Sequence, residues 1–212
     1  MPASNQYPFF DILEIIPDND LLYKQLQPLK PVKTGDTAPE FTVKADYLRW
    51  RRFYNGTEKH GPVSLGWLLN KPLVISFYSK HWKKTGVEQL VWLNGIQREV
   101  RENGGNLLVI SAENDDELTA IASENNLSLN FYCDHGHEIA EKFRVYSDGC
   151  PIWNRYSGVD VNAPLPATYA ISLSRKIIYD HVDPDLISVF SVYDILSVIG
   201  DAALIGNNKR SA

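Results

Sequence analysis

The side chains able to do chemistry fall in four short stretches. Cys133 and Cys150 are the only two thiols, and a thiolate is the strongest nucleophile a protein side chain supplies. Cys133 opens the run Cys133-Asp134-His135-Gly136-His137, whose residue types can ligate a metal. His81 leads into Trp82-Lys83-Lys84-Thr85-Gly86, where cations, a hydroxyl and a glycine suit an anion. LRWRRFY, residues 48–54, interleaves arginine with aromatic rings in the manner of some nucleic-acid surfaces.

Spacing weighs these chemistries unequally. Cys133 alternates with Leu129 and Phe131, so on a strand it faces the core as a small hydrophobe. Cys150 lies in SDGCPIW, a loop that can expose it. Either cysteine is a candidate redox residue, and a reversible Cys133–Cys150 disulfide is the paired form of that idea. The Cys-x-His-x-His spacing matches no familiar zinc pattern, and surface histidines at a strand-to-helix turn explain it; no metal is expected. For Trp82 to Gly86 two readings stand. In one, Trp82 packs inward and Thr85 caps a helix. In the other, Gly86 lets an anion approach free helix-terminal N–H groups beside Lys83 and Lys84, which otherwise oppose the helix dipole. The arginine–aromatic run also fits a half-exposed hairpin strand, and a net charge of −5 opposes nucleic-acid binding.

These stretches need elements to position them. PLVISFY (72–78) and NLLVIS (106–111) are continuous apolar runs, as expected of strands buried on both faces. Between them Val87, Leu90, Val91, Ile96 and Val100 recur at helical spacing. Thr85 and Glu88 form a T-x-x-E capping box, and Asn103-Gly104-Gly105 ends the helix. A strand–helix–strand unit of this kind pairs its strands in parallel. DDELTAIASENN predicts a helix, LSLNFYC a strand and HEIAEKFRV a short helix. ATYAISL and KIIYDHV, separated only by Ser174-Arg175, predict a hairpin, and SVYDILSVIGDAALI a closing helix. Upstream, GDTAPEFTV leads into a short strand, and residues 45–65 read as a hairpin turning at Asn55-Gly56. The expected organisation is an N-terminal extension over 1–34, one α/β domain over 35–204 and a flexible tail over 205–212. Its sheet has three parallel strands followed by an antiparallel hairpin.

No apolar run approaches the ~20 residues that span a bilayer, and the amino terminus lacks a basic start before an apolar core. Two cysteines make no disulfide framework, so the expected compartment is the reducing cytoplasm, without a membrane partner.

GDTAPEF, GPVSLGWLLNKPLVISFY, NLLVISAEN, NFYCDHGHEIAEKFRV and LPATYAISLSRKIIYDHVDPD, taken in order, resemble the blocks of the peroxiredoxin-like proteins of the thioredoxin superfamily. This is the alkyl hydroperoxide reductase/thiol-specific antioxidant group, and the likeness spans residues 33–203. The resemblance implies a thioredoxin-like α/β fold in which the loop after the first long strand carries the peroxide-attacking cysteine. That cysteine falls at Gly86 in the typical alignment, with its supporting threonine at Lys83; in the W-C-x-x-C subgroup the two cysteines fall at Lys83 and Gly86. The assisting arginine falls at Pro166, which can be cis as prolines near such sites often are. The resemblance therefore implies a scaffold without a conventional catalytic residue or cofactor. The expected function is a binding or regulatory module, with Trp82, Lys83, Lys84, Thr85, Gly86 and Pro166 as the ligand-binding candidates, a small anion as ligand and a homodimer as assembly. Trp92, Tyr156 and residues 9–16 are apolar enough to contribute to the dimer. The alternative is an oxidoreductase using relocated Cys150 or Cys133.

Overall fold

The computed structural model describes residues 28–43, 53–54, 57–58, 62–113, 115–152, 161–185 and 187–210. Most of the expected amino-terminal extension, Tyr156 and the arginines of the 48–54 run lie outside them.

The chain enters through two short antiparallel pairs. Strand β1 (Thr42–Val43) pairs with β4 (Val63–Ser64), and β2 (Phe53–Tyr54) with β3 (Thr57–Glu58). The latter pair sets Tyr54 opposite Thr57; the turn expected at Asn55-Gly56 lies outside the described residues. Ser64 then caps the short helix α1 (Leu65–Leu68), accepting a hydrogen bond from the Trp67 N–H.

The main sheet has the order β7-β6-β5-β8-β9. Strands β5 (Leu73–Tyr78), β6 (Asn106–Ser111) and β7 (Phe131–Cys133) are parallel. Strands β8 (Ala167–Ile171) and β9 (Ile177–Val182) join antiparallel on the other side of β5. The hairpin link runs from Ser172 to Lys176, longer than the two residues expected. Its turn is closed by the Ser172 N–H on the Lys176 carbonyl, and Arg175 takes a φ of 63°.

Alternation along β5 sorts the core. Leu73, Ile75 and Phe77 face one cluster, with Phe41, Trp82, Phe143 and Tyr169. Val74 and Tyr78 face the other, beneath three helices: α2 (Lys83–Glu102), α3 (Asp115–Glu124) and α5 (Val192–Arg210). Leu90, Leu93, Ile96 and Val100 form the buried stripe of α2, each contributing about 1.5–3 kcal/mol by leaving water. Val91, expected on that stripe, is exposed, and Leu93 takes the inward place. Helix α2 ends as expected: Gly104 turns left-handed (φ 81°) and the Gly105 N–H returns to the Val100 carbonyl at 2.8 Å. The short helix α4 (Glu138–Lys142) covers the opposite face through Ile139 and Ala140. Helix α5 continues to Arg210, through most of the stretch expected as a tail.

Candidate functional site

Parallel β5, β6 and β7 end on one rim, where β8 begins and β9 finishes. The loops there bring together residues 79–86, 112–113, 134–137, Pro166 and 181–183, the place where an open α/β sheet presents ligand-binding groups.

The start of α2 departs from the expected capping box. Ser79 caps a 3₁₀ turn over Lys80–Trp82, accepting from the His81 N–H at 3.2 Å, and α2 starts at Lys83. Thr85 therefore lies inside the helix, and no side chain caps α2. The reason is Glu113. Its buried Oε1 accepts from the Ser79 hydroxyl and the Lys80 N–H, both at 2.9 Å, which fixes the turn two residues before Thr85 can act. The Lys80 ammonium lies 3.7 Å from Glu113 Oε2 and also bonds Glu117. Burial and these two carboxylates push the Tyr78 phenol well above its ordinary range.

Lys83 pays for the join between turns with backbone strain: φ is 51° and ψ −128°, a conformation that favours glycine. Its side chain is exposed, as are those of Lys84 and Thr85. Lys84 pairs with Glu88 at 3.5 Å, an exposed i,i+4 contact that contributes about 0.3–0.5 kcal/mol and so commits neither partner strongly. Trp82 packs into the core as expected. Gly86 is buried in the first turn of α2. A Cβ built there would meet the Ser79 carbonyl oxygen, Trp82 Cβ and a Tyr78 ring carbon, each at 3.0 Å.

Beside this turn, α2 and the β8–β9 end of the rim enclose a cleft of about 270 Å³. Its lining includes Thr85, Glu88, Gln89, Trp92, Pro166 and Asp183. Pro166 is trans, since there is no cis peptide bond among the described residues. Gln89 Nε2 donates to Ser76 Oγ at 2.9 Å, and Ser76 pairs with the Thr168 hydroxyl at 2.9 Å, so a buried hydroxyl pair anchors the cleft side of α2 to the sheet. Asp183 is 5% exposed. Its carboxylate accepts from the Ser188 N–H at 3.0 Å and the Asp185 N–H at 3.3 Å.

The two cysteines are reduced and both are buried. Cys133 packs with Leu129 and Phe131 as the alternation predicts. Cys150, expected in an exposed loop, is 4% exposed, because the Cys150 N–H turns back to the Ser147 carbonyl and folds the loop inward. The histidines of 133–137 do not converge. His137 stacks on Tyr146 with ring centroids 3.9 Å apart, and no group of three metal-ligating side chains forms among the described residues. Burial lowers the His137 pKa against the pull of Asp134. Burial and the Asp148 carboxylate push the Tyr146 phenol up to about 12. Asp134 accepts from the Ile139 and Ala140 N–H groups at the start of α4; burial nonetheless raises its pKa above the ordinary carboxylate value.

Glu113, Gln89 and Asp183 did not stand out in the sequence. Each has partners or cleft neighbours that come from another element, so no local spacing marks it.

The AhpC/TSA family model matches residues 34–180. Peroxiredoxin Bcp of Escherichia coli is 23% identical over 131 residues, 62% of this chain and 76% of that protein. Among solved structures, peroxidoxin BcpB of Mycobacterium tuberculosis has a TM-score of 0.55 at 20% identity, covering 82% of this chain and 97% of that one. AhpC of Enterococcus faecalis has a TM-score of 0.60 at 12% identity, covering 82% and 94%. Both share the fold: a mixed five-stranded sheet flanked by helices.

Proposed function

Because the chain belongs to the AhpC/TSA family, we propose that it uses the peroxiredoxin-like scaffold as a binding or regulatory module and not as a conventional thiol peroxidase. The observation that carries this is Gly86. The position aligned with the attacking cysteine has no side chain, and the space a Cβ needs is taken by the Ser79 carbonyl, Trp82 and Tyr78. A peroxidatic thiolate needs a sulfur at the helix start and a cation beside it. By the family resemblance the threonine and arginine positions fall at Lys83 and Pro166, so on this reading the groups that would assist the sulfur are replaced too. Burial of both Cys133 and Cys150 weighs against a relocated nucleophile, since peroxide must reach the thiolate it oxidises.

The test is direct. Reduced protein is mixed with one equivalent of hydrogen peroxide, then of an alkyl hydroperoxide, and cysteine oxidation is followed by intact mass. The expected rate is that of an ordinary free thiol or slower. Rapid oxidation abolished by Cys150→Ser or Cys133→Ser would replace this reading with a relocated oxidoreductase. Within the binding reading, the uncapped first turn of α2 beside exposed Lys83 makes a small anion one ligand class to screen by thermal shift. A homodimer is the assembly to seek by light scattering.

A further inference from the structure

Resting on the binding reading above, we infer that the cleft between α2 and the end of the β8–β9 hairpin binds a small organic cation, a primary amine carried on an apolar body. The polarity of the lining carries the inference. Glu88 and Asp183 contribute two carboxylates, and no lysine or arginine lines the cleft. Asp183 is almost fully buried and is held only by backbone N–H groups; no cationic side chain among the described residues lies within ion-pair distance of it. A bound ammonium would supply the counter-charge that no described side chain provides there. Each carboxylate oxygen also has a lone pair beyond the single backbone bond it accepts.

The remaining polar lining is Thr85, Gln89, Ser188 and His181, whose Nε2 lies 3.4 Å from the Ser188 hydroxyl. Gln89 donates one amide N–H to Ser76, and its side-chain carbonyl oxygen can accept from a ligand. Glu88 is engaged only by the weak, exposed pair with Lys84. The apolar part of the lining is Trp92, Pro166, Val189 and Phe190, and Trp92 and Val189 remain about half exposed. A tryptophan ring is the best side chain for attracting an organic cation. The volume, about 270 Å³, falls just below the ~300–1,000 Å³ typical of drug-sized ligand sites and suits a smaller molecule.

The experiment is calorimetric titration of the full chain with phenethylamine, with 2-phenylethanol as its neutral counterpart. The amine is expected to bind about tenfold more tightly than the alcohol, and raised salt should weaken the amine more. Glu88→Gln and Trp92→Leu, both at solvent-exposed positions, should leave the circular dichroism unchanged and each weaken the amine about fivefold or more. Acetyl-Phe-Lys-amide, run beside the free amine, distinguishes a metabolite-like source from the side chain of a protein partner; tighter binding of either assigns the source. Equal binding of alcohol and amine, no binding of either cationic probe, or an unchanged affinity in Glu88→Gln overturns the inference. Titrating a Cys133→Ser/Cys150→Ser variant keeps the question separate from peroxide chemistry. Fast thiol oxidation sinks the non-catalytic reading without touching the amine isotherm, and a flat isotherm leaves the oxidation result standing.

Discussion

Two glycines of one helix give opposite expectations. Gly95, exposed on α2, has nothing within 4 Å of a built Cβ, whereas Gly86 meets three atoms at 3.0 Å, one of them a backbone oxygen. Alanine in an open helical site gains roughly 0.5–1 kcal/mol over glycine, and overpacking costs about 1–3 kcal/mol. Gly95→Ala should therefore raise the urea midpoint, while Gly86→Ala lowers stability by about 1 kcal/mol net. A midpoint for Gly86→Ala at or above wild type would mean that Tyr78 and Trp82 give way easily, and the steric support for a vacated cysteine position would go with it. The absence of sulfur from residues 79–86 is plain in the sequence. That the space has been filled is not, because Tyr78 and Trp82 reach Gly86 only through the 3₁₀ turn, whose left-handed exit at Lys83 no lysine advertises.

At the level of elements, strong hydrophobic periodicity made β5, α2, β6 and the β8–β9 hairpin legible, together with the Gly104 stop. Caps were less so: Thr85-x-x-Glu88 is a sound local signal, but the contact that sets the helix start comes from Glu113, 33 residues beyond Lys80. The start of α4 carries a pH prediction for a similar reason. His137 precedes that helix with φ 55°, stacked on Tyr146 and with Nδ1 buried without a partner. Its folded pKa lies below the unfolded value, so the unfolded chain binds the extra proton first. Its contribution is intact above the unfolded pKa of about 6.5 and is lost as pH falls below that value. Asp134 has the opposite sign, since its folded pKa is raised, but it acts in the lower window just above the ordinary carboxylate value. The urea midpoint should fall between about pH 7.5 and about pH 5.5. His137→Asn, which tolerates the left-handed backbone, should flatten that slope; an unchanged slope would assign it to another group.

On the scale of the whole molecule, α5 closes the helical face against the turn that ends α2. A Cβ at Gly105 would lie 2.5 Å from Ile199 Cγ2, a fully buried side chain of α5. Gly105→Ala should cost about 1–3 kcal/mol by prising these elements apart, read as a lower melting temperature. The α/β class and strand order follow from the alternation of runs and turns. The cleft does not, because its walls come from residues about a hundred positions apart whose meeting depends on β8 lying beside β5. That neighbourhood also sets a clock for the chain as it is made. Ser76 on β5 and Thr168 on β8, which pair across the sheet, are 92 residues apart. At ~5–20 residues per second, the ribosome leaves the inner edge of β5 bare for roughly 5–18 s after the strand emerges. During that interval the middle of the future sheet is an exposed apolar edge. The newborn chain, more than the finished protein, is the form that needs a chaperone's cover.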